Sequence, residues 1–193
     1  MADEVEGKSF GWIVDNHDLK LAMISRLEEI KTAHHLAPMK VADFAVNAHT
    51  ACVTLSDGTT LEAALLIGAD GRRSGLREWM QMQGLLETRA WSYKQRAVIC
   101  MVQHEHPHHN IAVENFYPEG PFAALPFTDD QSGHHRSAVV FTEHRPEQHS
   151  FMKMSDEEFE LALAERFPAR YGDIKLASKR AAYPLWLVHA SQY

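Results

Sequence analysis

Apolar positions recur first at helical and then at strand spacing. Leu19, Met23, Leu27 and Ile30 stand three or four residues apart, the interval that aligns side chains on one helix face. They predict a helix over about 17–31, which Asp15 or Asn16 can cap, with Asp18 in its first turn. Ahead of it, residues 9–14 read as a short strand. Behind it, 39–47, 50–55 and 60–67 predict a β-meander. Asp57-Gly58 is its two-residue turn, because glycine accepts the positive φ required there. The third segment ends in Ala-Ala-Leu-Leu-Ile over 63–67, and an unbroken apolar run predicts a strand covered on both faces. A helix over about 73–83 follows, with Ser74 as candidate cap.

The pattern changes near residue 90. Segments 92–104, 111–118, 121–128 and 136–145 read as strands with turn-rich joints such as Pro118-Glu119-Gly120-Pro121. Four successive strands without helices predict an antiparallel sheet. Ser155-Asp156-Glu157-Glu158 is a capping box opening a helix over 156–167. Phe159, Leu163 and Phe167 form its buried stripe, and Pro168 lies beyond its end. A last strand over 173–182 precedes Tyr183-Pro184-Leu185-Trp186. The expected fold class is therefore α/β plus α+β.

Composition narrows the partners. The chain has 193 residues, 45% hydrophobic and 23% charged, which is globular. A net charge of −7 with no basic block argues against nucleic acid. Two cysteines, Cys52 and Cys100, make no disulfide framework and fit a reducing compartment. The longest apolar run, 63–69, is too short to span a bilayer, and the acidic start is unlike a secretory signal. The expected location is the cytoplasm. Histidine is abundant, at 13 residues. Yet His104-Glu-His-Pro-His-His109 lacks the His-Glu-x-x-His spacing that puts two ligands on one helix face, so no metal site is expected there. No serine, cysteine or histidine has a nucleophile's setting, and no catalytic side chain is assigned.

The chemistry lies in Ala64-Leu-Leu-Ile-Gly-Ala-Asp-Gly-Arg-Arg-Ser-Gly-Leu-Arg77. A strand end delivers Asp70, whose carboxylate can accept from a ribose hydroxyl. Gly68 and Gly71 let the backbone approach a ligand closely. The first-turn N–H groups of the next helix can face a pyrophosphate. The plainer alternatives are a helix cap for Asp70 and a structural salt bridge for Arg77.

Asp-Gly-x-x-Ser-x-x-Arg after a Gly-Ala strand end resembles the middle fingerprint of the para-hydroxybenzoate hydroxylase family of flavoprotein monooxygenases. All four positions are filled, by Asp70, Gly71, Ser74 and Arg77. Phe10-Gly11-Trp12-Ile13-Val14-Asp15-Asn16 is similar to the segment where a polar side chain touches the flavin, and Asn16 takes that position or is a plain N-cap. Phe116–Pro126 with Ala138–Glu143 resembles the substrate sheet of the ubiquinone-biosynthesis subgroup. The resemblance implies a partial FAD-binding Rossmann-like domain over 14–90 and a substrate-binding antiparallel-sheet domain over 91–183. Residues 1–13 would edge the latter, and 184–193 would return towards the former. It implies FAD bound by Asn16, Gly68, Asp70 and Gly71, NAD(P)H as co-substrate, dioxygen, and a prenylated phenol near Phe122 and Pro126. The greasy substrate implies at least peripheral membrane contact.

Two family segments are not found in the chain. These are the Gly-x-Gly-x-x-Gly turn for the ADP moiety and the later Gly-Asp segment, so an internal fragment, inactive alone and prone to self-association, is expected. The alternatives are a non-catalytic binding module and a flavin oxidoreductase acting on another substrate.

Overall fold

The computed structural model describes residues 9–147 and 150–192. The expectations for the first eight residues therefore lie outside the described ones. The elements are α1 (Asn16–Glu29), β1 (Val41–Val46), β2 (Ala51–Leu55), β3 (Thr60–Ala63), α2 (Gly75–Met82), β4 (Thr88–His104), β5 (Val113–Tyr117), β6 (Gly120–Phe127), β7 (His135–His144), α3 (Asp156–Ala164), β8 (Ile174–Leu176) and β9 (Ala181–Ala190). They divide into two compact units. One takes the chain through Asp18 and then Ser92–Trp186, and the other Leu19–Trp91 and the chain from Leu187 onward.

In the second unit, β1, β2 and β3 form an antiparallel meander. Gly58 turns the β2–β3 hairpin at φ +86°, and Asp57 Oδ1 accepts the Thr59 N–H at 2.9 Å. The expected strand over 60–67 is shorter: it stops at Ala63. Its register explains why. Ala63 pairs with Ala51, the first residue of β2, so 64–67 run past the end of their partner. Leu65 and Ile67 are 72% and 76% exposed, not covered on both faces. The apolar face of α1 is also uncovered, and none of its residues is buried. Residues 9–14 are not a strand but an irregular segment, with no ladder partner among the described residues.

The first unit contains a sheet ordered β5-β6-β7-β4-β8, with β9 also paired to β4. The expected end of the last strand near 182 is corrected. Ile174–Leu176 is one short strand, and Tyr183–Trp186 lie inside β9. Proline does not bar this, because a strand with a single paired neighbour has N–H groups outside the ladder.

Alternation puts Val98, Cys100 and Val102 of β4, Phe122 and Ala124 of β6, and Val139 and Phe141 of β7 on one face. Phe159 and Leu163 of α3 cover them with Phe167 and Tyr171. Such burial stabilises by about 1.5–3 kcal/mol per large side chain. The capping box forms: Ser155 Oγ accepts the Glu158 N–H at 3.2 Å, and Glu158 Oε2 accepts the Ser155 N–H at 2.9 Å. Buried Glu143 is satisfied by Arg96, with Nε donating to Oε1 at 2.8 Å, and by the Phe151 N–H donating to Oε2 at 2.8 Å.

Candidate functional site

The loop from Gly68 to Ser74 closes on itself. Asp70 Oδ2 accepts the backbone N–H of Gly75 at 2.8 Å and of Leu76 at 3.4 Å. Ser74 is the N-cap of α2, and its hydroxyl accepts the Arg77 N–H at 3.0 Å. Arg77 turns back, donating through Nη1 to the Gly71 carbonyl at 3.3 Å and through Nη2 to the Arg72 carbonyl. The four positions of the motif thus satisfy one another. The acid and the hydroxyl take orphan donors of the helix start, the guanidinium takes loop carbonyls, and Gly71 supplies a φ of +78° that side chains rarely adopt.

This geometry changes three expectations. Asp70 does not end a strand; it stands seven residues beyond β3 and caps α2. The first-turn N–H groups expected to face a pyrophosphate are already bonded, including that of Glu78 to the Ser74 carbonyl at 3.2 Å. An anion would have to displace Asp70 there rather than meet bare donors. Gly68 also has a reason other than ligand approach, since a Cβ would meet Leu76 Cδ2 at 2.9 Å. Glycine there lets the loop lie against α2. At Gly71 a Cβ would meet nothing within 4 Å, so the space beside that backbone is open.

Asp70 itself is exposed. Desolvation raises its pKa, but hydrogen bonds from the Ser74 hydroxyl and from the Leu76 and Gly75 N–H groups outweigh it. The carboxyl is held below its ordinary value, so it is an ionised acceptor at neutral pH. Oδ1 takes neither of the two backbone N–H bonds. An ionised oxygen beside an open glycine suits a hydroxyl donor such as a ribose.

The other predicted residues lie elsewhere. Asn16 belongs to the first unit and is the first residue of α1, not its cap. Asp15 takes that role, its Oδ1 accepting the His17 N–H at 2.7 Å. Phe122 is fully buried, edge-to-face with Phe141 at a centroid distance of 5.3 Å. It cannot meet a substrate without unpacking the core. Pro126 has the same strand parity and pairs with buried Ser137, so it too belongs to the core-side face. The opposite face presents Ala123 and Leu125 of β6, Ala138 and Val140 of β7, and Ile99 and Met101 of β4, in register and half-buried or, for Ile99, exposed.

Sequence reasoning missed an apolar cleft of about 250 Å³ in the second unit, lined in part by Leu65, Leu66, Leu76, Trp79 and Met80. Its signal was present, as Leu76, Trp79 and Met80 recur at i, i+3 and i+4. Among the described residues, no group of three His, Cys, Asp or Glu could hold a metal ion.

No family model matches the chain. It is 35% identical over 183 residues to ubiquinone hydroxylase UbiL of Rhodospirillum rubrum, a match covering 95% of the chain and 41% of that protein. It is 31% identical over 180 residues to the mitochondrial ubiquinone biosynthesis monooxygenase COQ6 of Mus musculus, covering 86% and 35%. The fold is similar to that of p-nitrophenol 4-monooxygenase PnpA from Pseudomonas putida DLL-E4, with a TM-score of 0.61 at 17% identity, covering 92% of this chain and 44% of that one. It is also similar to halogenase PltM, solved in complex with phloroglucinol and FAD, with a TM-score of 0.52 at 16% identity, covering 84% and 35%. The chain spans less than half the length of these relatives.

Proposed function

This chain is a homologue of the ubiquinone-biosynthesis hydroxylases over nearly its whole length, and from that premise we propose that it is part of an FAD- and NAD(P)H-dependent monooxygenase hydroxylating a polyprenylated phenol. The observation that carries the reading is the self-capped loop, which holds an ionised, exposed Asp70 beside the open backbone of Gly71. In this reading Asp70 accepts from a ribose hydroxyl of FAD. Gly71 gives the cofactor close access, Gly68 keeps the loop against α2, and Asn16 contacts the flavin. Bound FAD, with NAD(P)H as reductant and dioxygen as oxidant, supplies the oxygen-transfer chemistry. The chain's own part is to orient the ring and exclude water.

The substrate reading moves from Phe122 to the other sheet face. Small and branched residues at 123, 125, 138 and 140 offer a flat apolar floor to a ring and its tail. A tail of that kind favours peripheral membrane contact. Among the described residues, no helix is long and apolar enough to cross a membrane.

The decisive experiment is Asp70→Ala in the longer protein this reading requires. Losing a charge-assisted hydrogen bond costs about 1.5–3 kcal/mol, so FAD affinity falls roughly tenfold to a hundredfold. Unchanged flavin content and rate sink the assignment.

A second reading, that the chain alone is a non-catalytic module, is favoured by the occupied helix N–H donors and the exposed apolar residues of α1 and 64–67. It expects the isolated chain to bind FAD weakly and to self-associate. Micromolar binding by a monomer in fluorescence titration and light scattering overturns it.

A further inference from the structure

The histidine-rich stretch after β4 plays no part in the flavin reading, yet its geometry is specific. His104 and His108 are both buried, and the partners of each ring determine its tautomer. His108 Nε2 donates to the Phe127 carbonyl at 2.9 Å, while His108 Nδ1 accepts the Asn110 N–H at 3.0 Å. A carbonyl can only accept and an amide N–H can only donate. The ring is therefore neutral, with its proton on Nε2. It ties the end of β6 to the turn His108–Ile111, in which His109 and Asn110 take φ of +53° and +58° and the Ile111 N–H returns to the His108 carbonyl at 3.0 Å.

We propose that His108 is a proton-operated latch: its neutral ring holds the loop over residues 107–112 to the end of β6, and proton uptake at Nδ1 releases that loop. The added proton sets N–H against the Asn110 N–H, so a hydrogen bond becomes a repulsive contact. His104 cannot act this way. Its Nδ1 donates to the His106 carbonyl at 2.7 Å, and its Nε2 faces Ser137 Oγ at 3.0 Å. A hydroxyl accommodates a protonated Nε2 by rotating to accept.

Titratable and charged groups face this pocket from each neighbouring element. From β4, His104 lies 5.7 Å from the His108 ring, edge-on. From β7, His135 stacks on His104 at 6.0 Å, its own Nδ1 paired with Asp129 at 3.1 Å. From the turn at 169–171, Tyr171 stacks on His104 at 5.1 Å beneath the Arg170 guanidinium. Arg136 lies over Phe127, and Glu105 and His106 flank the loop's start. Burial, with repulsion from His108 and His135, outweighs the His106 and Arg136 backbone bonds and lowers the pKa of His104. At the far end of the loop Tyr171 Oη donates to the Ile111 carbonyl at 3.4 Å, a tether independent of His108 that bounds the released segment before β5.

Imidazole ¹⁵N spectra and amide exchange on the intact chain test this. At about pH 8 His108 should show the Nε2–H tautomer, and near pH 5.5, inside the histidine range, Asn110 protection corrected for intrinsic exchange should fall about tenfold or more. His108→Asn keeps a side-chain acceptor for the residue-110 N–H but has no proton to gain, so its protection should be equal at both values. Unchanged wild-type protection, or a loss that persists in His108→Asn, overturns the latch.

Discussion

Two helices with the same apolar spacing meet opposite fates. On α3, Phe159 and Leu163 are fully buried against the sheet of β4, β6 and β7. On α1, Leu19, Met23 and Leu27 remain 46%, 57% and 37% exposed. Helical periodicity marks a face able to be buried; it does not supply the surface that buries it. α3 finds that surface within its own unit. In the proposed reading, the exposed face of α1 and residues 64–67 are covered by the rest of a longer protein.

The largest expected effect breaks or sharpens this contrast directly. Leu163→Ala should cost about 2–5 kcal/mol and Phe159→Ala about 3–5 kcal/mol in urea unfolding, whereas Leu27→Ala should stay within about 0.5 kcal/mol. Equal costs for Leu163→Ala and Leu27→Ala end the comparison. Next, Arg96→Ala strands the buried Glu143 carboxylate, and the sheet unit should lose about 3 kcal/mol. Arg96 is itself partly exposed, which puts the effect at the lower end for buried pairs. Replacing Arg26, whose pair with Glu29 lies on the surface of α1, should change stability by less than about 0.5 kcal/mol.

Acid should act on the sheet unit as well. Burial lowers the pKa of His104, so the unfolded chain takes a proton more readily than the folded one. The stabilisation is complete above the ordinary histidine value of about 6.5 and is lost as pH falls through the lower folded value. Urea midpoints for this unit that stay level from about pH 8 to pH 5 would contradict that. Lower still, Asp130, held at about 2 chiefly by the His134 backbone N–H, should release its loop as it protonates between its ordinary 3.8 and that value. The smallest effect is chemical. Burial raises the Cys100 thiol to about 12, so it should react with a disulfide reagent only after unfolding. Rapid native labelling at Cys100 would show the core opening.

Legibility in the sequence followed the distance between partners. The Asp57-Gly58 turn, the capping box at Ser155 and Glu158, and the spacing of Asp70, Ser74 and Arg77 were all readable. The use Asp70 makes of its position was not. A carboxylate five residues ahead of a helix N–H can face a ligand or the helix itself, and only coordinates separate the two.

The sequence alone determined the local contacts, in which both partners lie within eight residues and backbone geometry leaves few ways for them to meet. It also determined which residues share a face, because side-chain periods of 3.6 and 2 follow from the backbone. The tertiary structure decided which face meets a core. Phe122 turns inward because Phe141 stands opposite it and α3 covers that side. β3 stops at Ala63 because β2 begins at Ala51. Burial and strand pairing need a partner brought from far along the chain, and no local rule carries that partner's position.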